Sequence, residues 1–145
     1  MIAIGADHGG FELKEGIKKH LDSQNIKYID YGTFTGEAVD YPDIAVTVCD
    51  NVVNKNCDKA LLFCGTGVGI SISANKVNGI RACCCTDEFS AEYCRLHNDA
   101  NALCLGGRVL TLEKAIKLVD LYLNAEFEGD RHARRVGKIM AIEQR

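Results

Sequence analysis

A chain of 145 residues, 47% hydrophobic and 26% charged, is long enough to form one domain with a real core. Its net charge of −3 argues against a general nucleic-acid binder, and no apolar run approaches the roughly 18 residues of a membrane-spanning helix. The eight cysteines form no C-x-x-C pair, which speaks against a zinc or dithiol site. With no export pattern in Met1-Ile2-Ala3-Ile4-Gly5, they read as reduced thiols of a cytoplasmic protein, mostly small core residues.

Strand and helix patterns alternate along the chain. Residues 1–6 form an apolar strand ending at Asp7-His8-Gly9-Gly10. Leu13, Ile17 and Leu21 mark a helix over 11–23, and Lys27–Tyr31 reads as a second strand. A polar loop leads to Pro42, which suits the first turn of a helix whose inner face carries Ala45, Val48, Cys49 and Val52. Lys59–Cys64 is the third strand, followed by a helix over 67–77. Ile80–Thr86 is the fourth strand, Asp87–Leu96 a helix, and Ala102–Leu105 the fifth strand. Two helices close the chain, one centred on Ala115–Leu123 and an amphipathic one over 131–143. The pattern predicts an α/β domain spanning 1–145, with a doubly wound five-stranded parallel sheet covered by helices on both faces. A flavodoxin-like strand order, 2-1-3-4-5, is expected. Ligands then bind where the order reverses, beyond the carboxyl ends of strands 1 and 3.

Those two ends carry Asp7-His8 and the stretch Cys64-Gly65-Thr66-Gly67-Val68-Gly69. The glycine stretch fits none of three familiar anion loops. A Walker loop needs lysine after its last glycine, a dinucleotide loop needs a glycine at 70, and a C-x5-R phosphatase loop needs arginine there; position 70 is isoleucine. What remains is a turn of unpaired backbone N–H groups, able to hold an anion or an oxyanion that develops during reaction. A thiol beside such a turn can serve as base or nucleophile, since thiols near helix N-termini ionise more readily than free ones. A buried thiol beside a packing loop explains the stretch equally well.

Other polar groups carry weaker signals. Asp7 could cap the next helix, and His97 ends a helix, a common place for histidine. His20, among Lys18 and Lys19, reads as part of a solvated face. Residues 130–145 hold five Arg/Lys against two acids, so the rest of the chain carries −6, a distribution suited to a small anion. Arg131 and Arg135 share a helix face and could grip one phosphate, although a solvated basic face has the same spacing. Arg108, after Gly106-Gly107, is a further anion candidate.

Four motifs, GADHGG, CGTGVGISISANK, HNDANALCLGGR and GDRHARRVGKI, follow in this order and resemble the type B ribose-5-phosphate isomerase family over essentially the whole chain. That family's relatives include galactose-6-phosphate and allose-6-phosphate isomerases. The resemblance implies metal-free aldose–ketose isomerisation of a sugar phosphate in the pentose phosphate pathway, without a cofactor, by a homodimer or tetramer whose active sites are shared between subunits. It places Cys64 as the proton-transferring base, with Thr66 and His97 assisting ring opening. Gly65, Gly67, Val68 and Gly69 match the loop that holds the enediolate oxygen. Asp7 and Asn98 match sugar contacts, and His8, Arg131 and Arg135 match phosphate ligands, with Arg108 as a possible addition. The division of His97 and the arginines between subunits stays open. The last motif departs from the usual Gly-Gly-Arg-His, since Asp130 precedes Arg131. Rival readings are a six-carbon sugar phosphate as substrate, a non-catalytic sugar-phosphate sensor, and a flavodoxin-like electron carrier.

Overall fold

The structure is a computed structural model that describes residues 1–145. Five strands are joined by helices: β1 (Ile2–Ala6), α1 (Phe11–Ser23), β2 (Tyr28–Asp30), α2 (Tyr41–Val53), β3 (Lys59–Cys64), α3 (Val68–Ala74), β4 (Ala82–Cys84), α4 (Glu88–Leu96), β5 (Ala102–Gly106), α5 (Leu112–Asn124) and α6 (Arg131–Ala141). A short 3-10 turn, Ile142–Gln144, ends the chain. All strand pairs are parallel, as the alternating pattern requires.

Period-2 alternation along the strands sorts side chains onto two faces. Ile2, Ile4, Leu61, Phe63, Leu103 and Leu105 face α1, α4 and α5. Ala3, Ala60, Leu62, Cys64, Ala102 and Cys104 face α2 and α3. The second face carries smaller strand residues, so the helices there meet it with Ala45, Val48, Cys49, Ile70 and Ala74. Helix ends follow local chemistry. Asp87 and Thr111 accept the backbone N–H groups of Ser90 and Lys114 at the starts of α4 and α5, and Pro42 lies in the first turn of α2. His20 is not a solvated residue: its Nε2 lies 2.7 Å from Asp120 Oδ1, joining α1 to α5.

The strand order is β2-β1-β3-β5-β4, not the expected 2-1-3-4-5. The fifth strand enters the sheet between the third and the fourth. β5 is five residues long and wholly buried, whereas β4 is three residues long and partly exposed. The more apolar strand takes the interior place and the shorter one becomes the edge. Glycine makes this neighbour possible: a Cβ on Gly106 would stand 2.6 Å from the Thr66 carbonyl, so only glycine lets β5 end beneath the loop after β3. The reversal point between β1 and β3 is where it was expected. No helix is long and apolar enough to cross a membrane.

Candidate active site

At the carboxyl edge of the sheet three loops meet: Asp7–Gly10 after β1, Cys64–Gly67 after β3, and Gly106–Arg108 after β5. Backbone bonds tie them together, Asp7 N to Phe63 O (3.1 Å), Gly107 N to Cys64 O (2.8 Å) and Arg108 N to Gly65 O (2.9 Å). The loops approach so closely that a Cβ on Gly9 would stand 2.9 Å from Gly65 N. Small residues at these strand ends are therefore a packing requirement of the site itself.

Cys64 ends β3 and is 4% exposed. Its Sγ accepts the backbone N–H of Gly67 at 3.1 Å. A sulfur anion accepts such a bond more strongly than a neutral thiol. Gly67 reaches this position with φ +81°, a left-handed conformation that costs glycine nothing. Beside the sulfur the turn leaves Gly65 and Gly69 half-buried and Thr66 and Val68 exposed. Thr66 is exposed, and its Oγ1 accepts Val68 N at 3.2 Å. Two cysteines lie deep in the core on the α2 and α3 side of the sheet: burial pushes the Cys49 thiol up to about 12 and the Cys104 thiol well above its ordinary value. These are inert core residues, as their apolar surroundings suggested.

Asp7 is buried, and its Oδ1 accepts Gly10 N at 3.1 Å, so it braces the turn into α1. His8 is exposed and shares a cleft of about 480 Å³ with Gly9, Thr35, Gly36 and Arg108. The Arg108 side chain lies over Gly65, with Nη1 3.0 Å from where a Cβ would be. Tyr41, which opens α2, packs its ring against Gly69 in the same way. Its position beside the loop was not legible in the sequence, because only the fold carries the end of the 32–40 loop there.

The remaining candidates stand at the opposite edge. Helices of a parallel sheet run back against the strands, so the C-terminal end of α4 lies where the strands begin. His97 and Asn98 follow that end. Glu128 N donates to Leu96 O at 3.0 Å, which docks the start of α6, with Arg131 and Arg135, on the same spot. The length of the sheet, on the order of 15 Å at about 3.3 Å per strand residue, separates this group from Cys64. Within one chain, then, Asp7, His8, Cys64–Gly69 and Arg108 come together. His97, Asn98, Arg131 and Arg135 form a second group.

His97 is held on several sides. Its ring stacks on His132 (centroids 3.9 Å apart, planes 12° apart), meets Tyr93 edge-on at 4.9 Å, and places Nε2 3.0 Å from Glu128 Oε1. Burial and the charges of His97 and Arg131 hold the His132 imidazole below its ordinary pKa. Ligand atoms of His97, Glu128 and His132 lie within 4.8 Å of one another. Two rings lying face to face direct their in-plane lone pairs into parallel planes, so this trio does not converge on one ion as it stands. Asp130, the departure noted in the sequence, makes no ion pair with either arginine. It instead takes φ +53° and ψ −130° ahead of α6, a conformation natural to glycine and costly with a Cβ. Asp130→Gly should therefore stabilise the protein by about 1 kcal/mol, read as a raised Tm in thermal unfolding.

A sequence model described as Ribose/Galactose Isomerase matches residues 2–139. The chain belongs to this family. Within it, the chain is 50% identical over 144 residues to ribose-5-phosphate isomerase B of Escherichia coli strain K12, covering 99% of this chain and 97% of that protein. A structure of Clostridium thermocellum ribose-5-phosphate isomerase B superposes with a TM-score of 0.97 at 52% identity, covering 99% of this chain and 97% of that one. A family member from Mycoplasma genitalium, solved with ribulose-5-phosphate bound, superposes with a TM-score of 0.93 at 43% identity, covering 99% of this chain and 95% of that one.

Proposed function

We propose that the chain interconverts D-ribose 5-phosphate and D-ribulose 5-phosphate through a cis-enediolate. The observation that carries this reading is the Cys64 sulfur, 3.1 Å from a loop amide where three strand ends meet. A base and fixed hydrogen-bond donors side by side are what proton abstraction next to a carbonyl needs. The relative that binds ribulose-5-phosphate supplies the substrate class.

His8, Arg131 and Arg135 hold the phosphate, with Arg108 beside them. His97 and Thr66 open the furanose and expose the C1 aldehyde. Cys64, as thiolate, removes the C2 proton, and the amides of the Gly65–Gly69 loop not engaged by Cys64 Sγ or Thr66 Oγ1 stabilise the oxygen charge of the enediolate. The same sulfur returns the proton to C1 while the O2 hydroxyl proton passes to O1, leaving a C1 hydroxyl and a C2 ketone. Asp7 and Asn98 bind sugar hydroxyls. Because His97 and the arginines stand at the far edge of their own sheet, a second copy of the chain delivers them to Cys64. The working unit is therefore a homodimer or a multiple of it. The free thiols at all eight cysteines suit a reducing cytoplasm.

Turnover of ribose 5-phosphate, allose 6-phosphate and galactose 6-phosphate, measured side by side with EDTA present, tests the reading. Ribose 5-phosphate should have the highest kcat/KM. A six-carbon sugar ahead of it would replace the substrate, and no turnover of any would favour a sugar-phosphate sensor. Losing a hydrogen bond to a charged group costs about 1.5–3 kcal/mol. Arg135→Ala should accordingly raise KM by about tenfold or more with kcat little changed; an unchanged KM would remove Arg135 from the phosphate site.

A further inference from the structure

Lys14 is a charged residue that the proposed mechanism does not use, and it is completely buried. Its Nζ donates to both carboxylate oxygens of Asp30 (2.8 Å each) and to the Thr33 carbonyl. The Phe11 and Phe34 rings stand over the same ammonium, at 5.3 and 5.5 Å. Asp30 also accepts Gly32 N at 2.9 Å and Lys18 Nζ at 3.0 Å. Burial alone would raise the Asp30 carboxyl, but these donors outweigh it and hold the group below its ordinary pKa. A buried ion pair is rarely the most stable way to fill a core, so its position invites a functional reading.

That position is the root of the 32–40 loop. Gly32 and Thr33 exchange backbone bonds with Ala6, just before Asp7 and His8. The loop then passes over Phe11, against which Gly36 packs, and returns across His8. There Val39 N donates to His8 Nδ1 at 3.3 Å. An imidazolium has no lone pair to accept this bond, so the contact selects a neutral ring with its proton on Nε2. Nε2–H is then the group left to donate into the cleft shared with Arg108.

We infer that Lys14 and Asp30 are positioning residues that hold the 32–40 loop so that the Val39 amide fixes His8 as the Nε2–H donor to the substrate phosphate. This rests on the reading of His8 as a phosphate ligand. In this arrangement His8 contributes a directed hydrogen bond while the arginines contribute charge. The loop fixes which nitrogen points outward, and the buried pair fixes the loop.

Two variants test this. Lys14→Met with Asp30→Leu removes both charges together and leaves neither stranded in the core. Val39→Pro deletes the single amide donor. The first readout is the 15N spectrum of the histidine rings, which separates protonated from unprotonated nitrogens. The second is kcat and KM for ribose 5-phosphate. In the wild type His8 should show a protonated Nε2 and a bare Nδ1. Both variants should blur this into a mixture of tautomers and leave the ring unanchored, raising KM by about twofold from the mixture alone and up to about tenfold if the whole bond to the phosphate is lost, with kcat within about twofold. An unchanged His8 spectrum in the double variant would remove Lys14 and Asp30 from the role, and an unchanged spectrum in both would overturn the inference. A shifted spectrum with unchanged KM would overturn the link to phosphate. If the wild type turned over no sugar phosphate, the proposed function would fail while the spectra still decided what positions His8.

Discussion

Cys64→Ala is expected to lower ribose 5-phosphate turnover by about 10²–10⁴-fold, the contribution of a positioned acid–base group, while ribose 5-phosphate still binds. The separation follows from geometry. Cys64 ends β3, buried beneath the loop, while the proposed phosphate ligands are His8, on another strand end, and arginines on α6. Removing one sulfur leaves that clamp in place and leaves Gly67 N without its acceptor. Cys64→Ser is the sharper control, because a serine hydroxyl can still accept from Gly67 N but is far less acidic than a thiol. It should be nearly as inactive as alanine. Calorimetric titration with ribose 5-phosphate should give a Kd within a few-fold of wild type for both. A serine variant with wild-type turnover would mean that the sulfur only shapes the loop.

Two inactive variants should restore each other when mixed. Cys64→Ala lacks the base but keeps His97; His97→Asn lacks the histidine but keeps Cys64. If each site takes Cys64 from one chain and His97 from another, a mixed dimer contains one intact site and one doubly defective site. Half of a randomly exchanged population is mixed, so activity should return to about a quarter of wild type. The expectation comes from the two poles of the chain. Cys64 lies at the carboxyl edge of the sheet, and His97 caps α4 at the amino edge, clamped between Tyr93, Glu128 and His132. Mass spectrometry would establish that subunits had exchanged. Mixed dimers without activity would contradict a site shared in this way.

Much of this architecture was legible in the residues, for physical reasons that differ from element to element. Buried parallel strands must be continuously apolar, so Ala60–Phe63 and Ala102–Leu105 announced themselves. Glycines at strand ends marked loops that must pack closely, and these loops became the floor of the site. The strand order was not legible, because nothing local says which of two apolar strands is interior. The answer lay in the shortness of β4 and in Gly106 meeting the Thr66 carbonyl. The contacts of Lys14 were hidden for another reason. A lysine within a helix that also carries Lys18 and Lys19 reads as solvated, and only the 32–40 loop, which brings Phe34 to join Phe11 over the ammonium, buries it. The pairing of His97 with Glu128 and His132 joins segments more than thirty residues apart, beyond the reach of periodicity. One signal was available: Asp130 stands where a glycine was expected, and the positive φ found there marks the bend that brings α6 onto α4.

The most direct test of the account follows hydrogen rather than product. Ribulose 5-phosphate has no free O5 with which to close a furanose, so its enolisation needs the base and the loop but not ring opening. In D2O, NMR should show a C1 hydrogen of ribulose 5-phosphate exchanging in the presence of the wild-type protein and not with Cys64→Ala. Deuterium entering at a comparable rate with the alanine variant would mean that another group moves the proton.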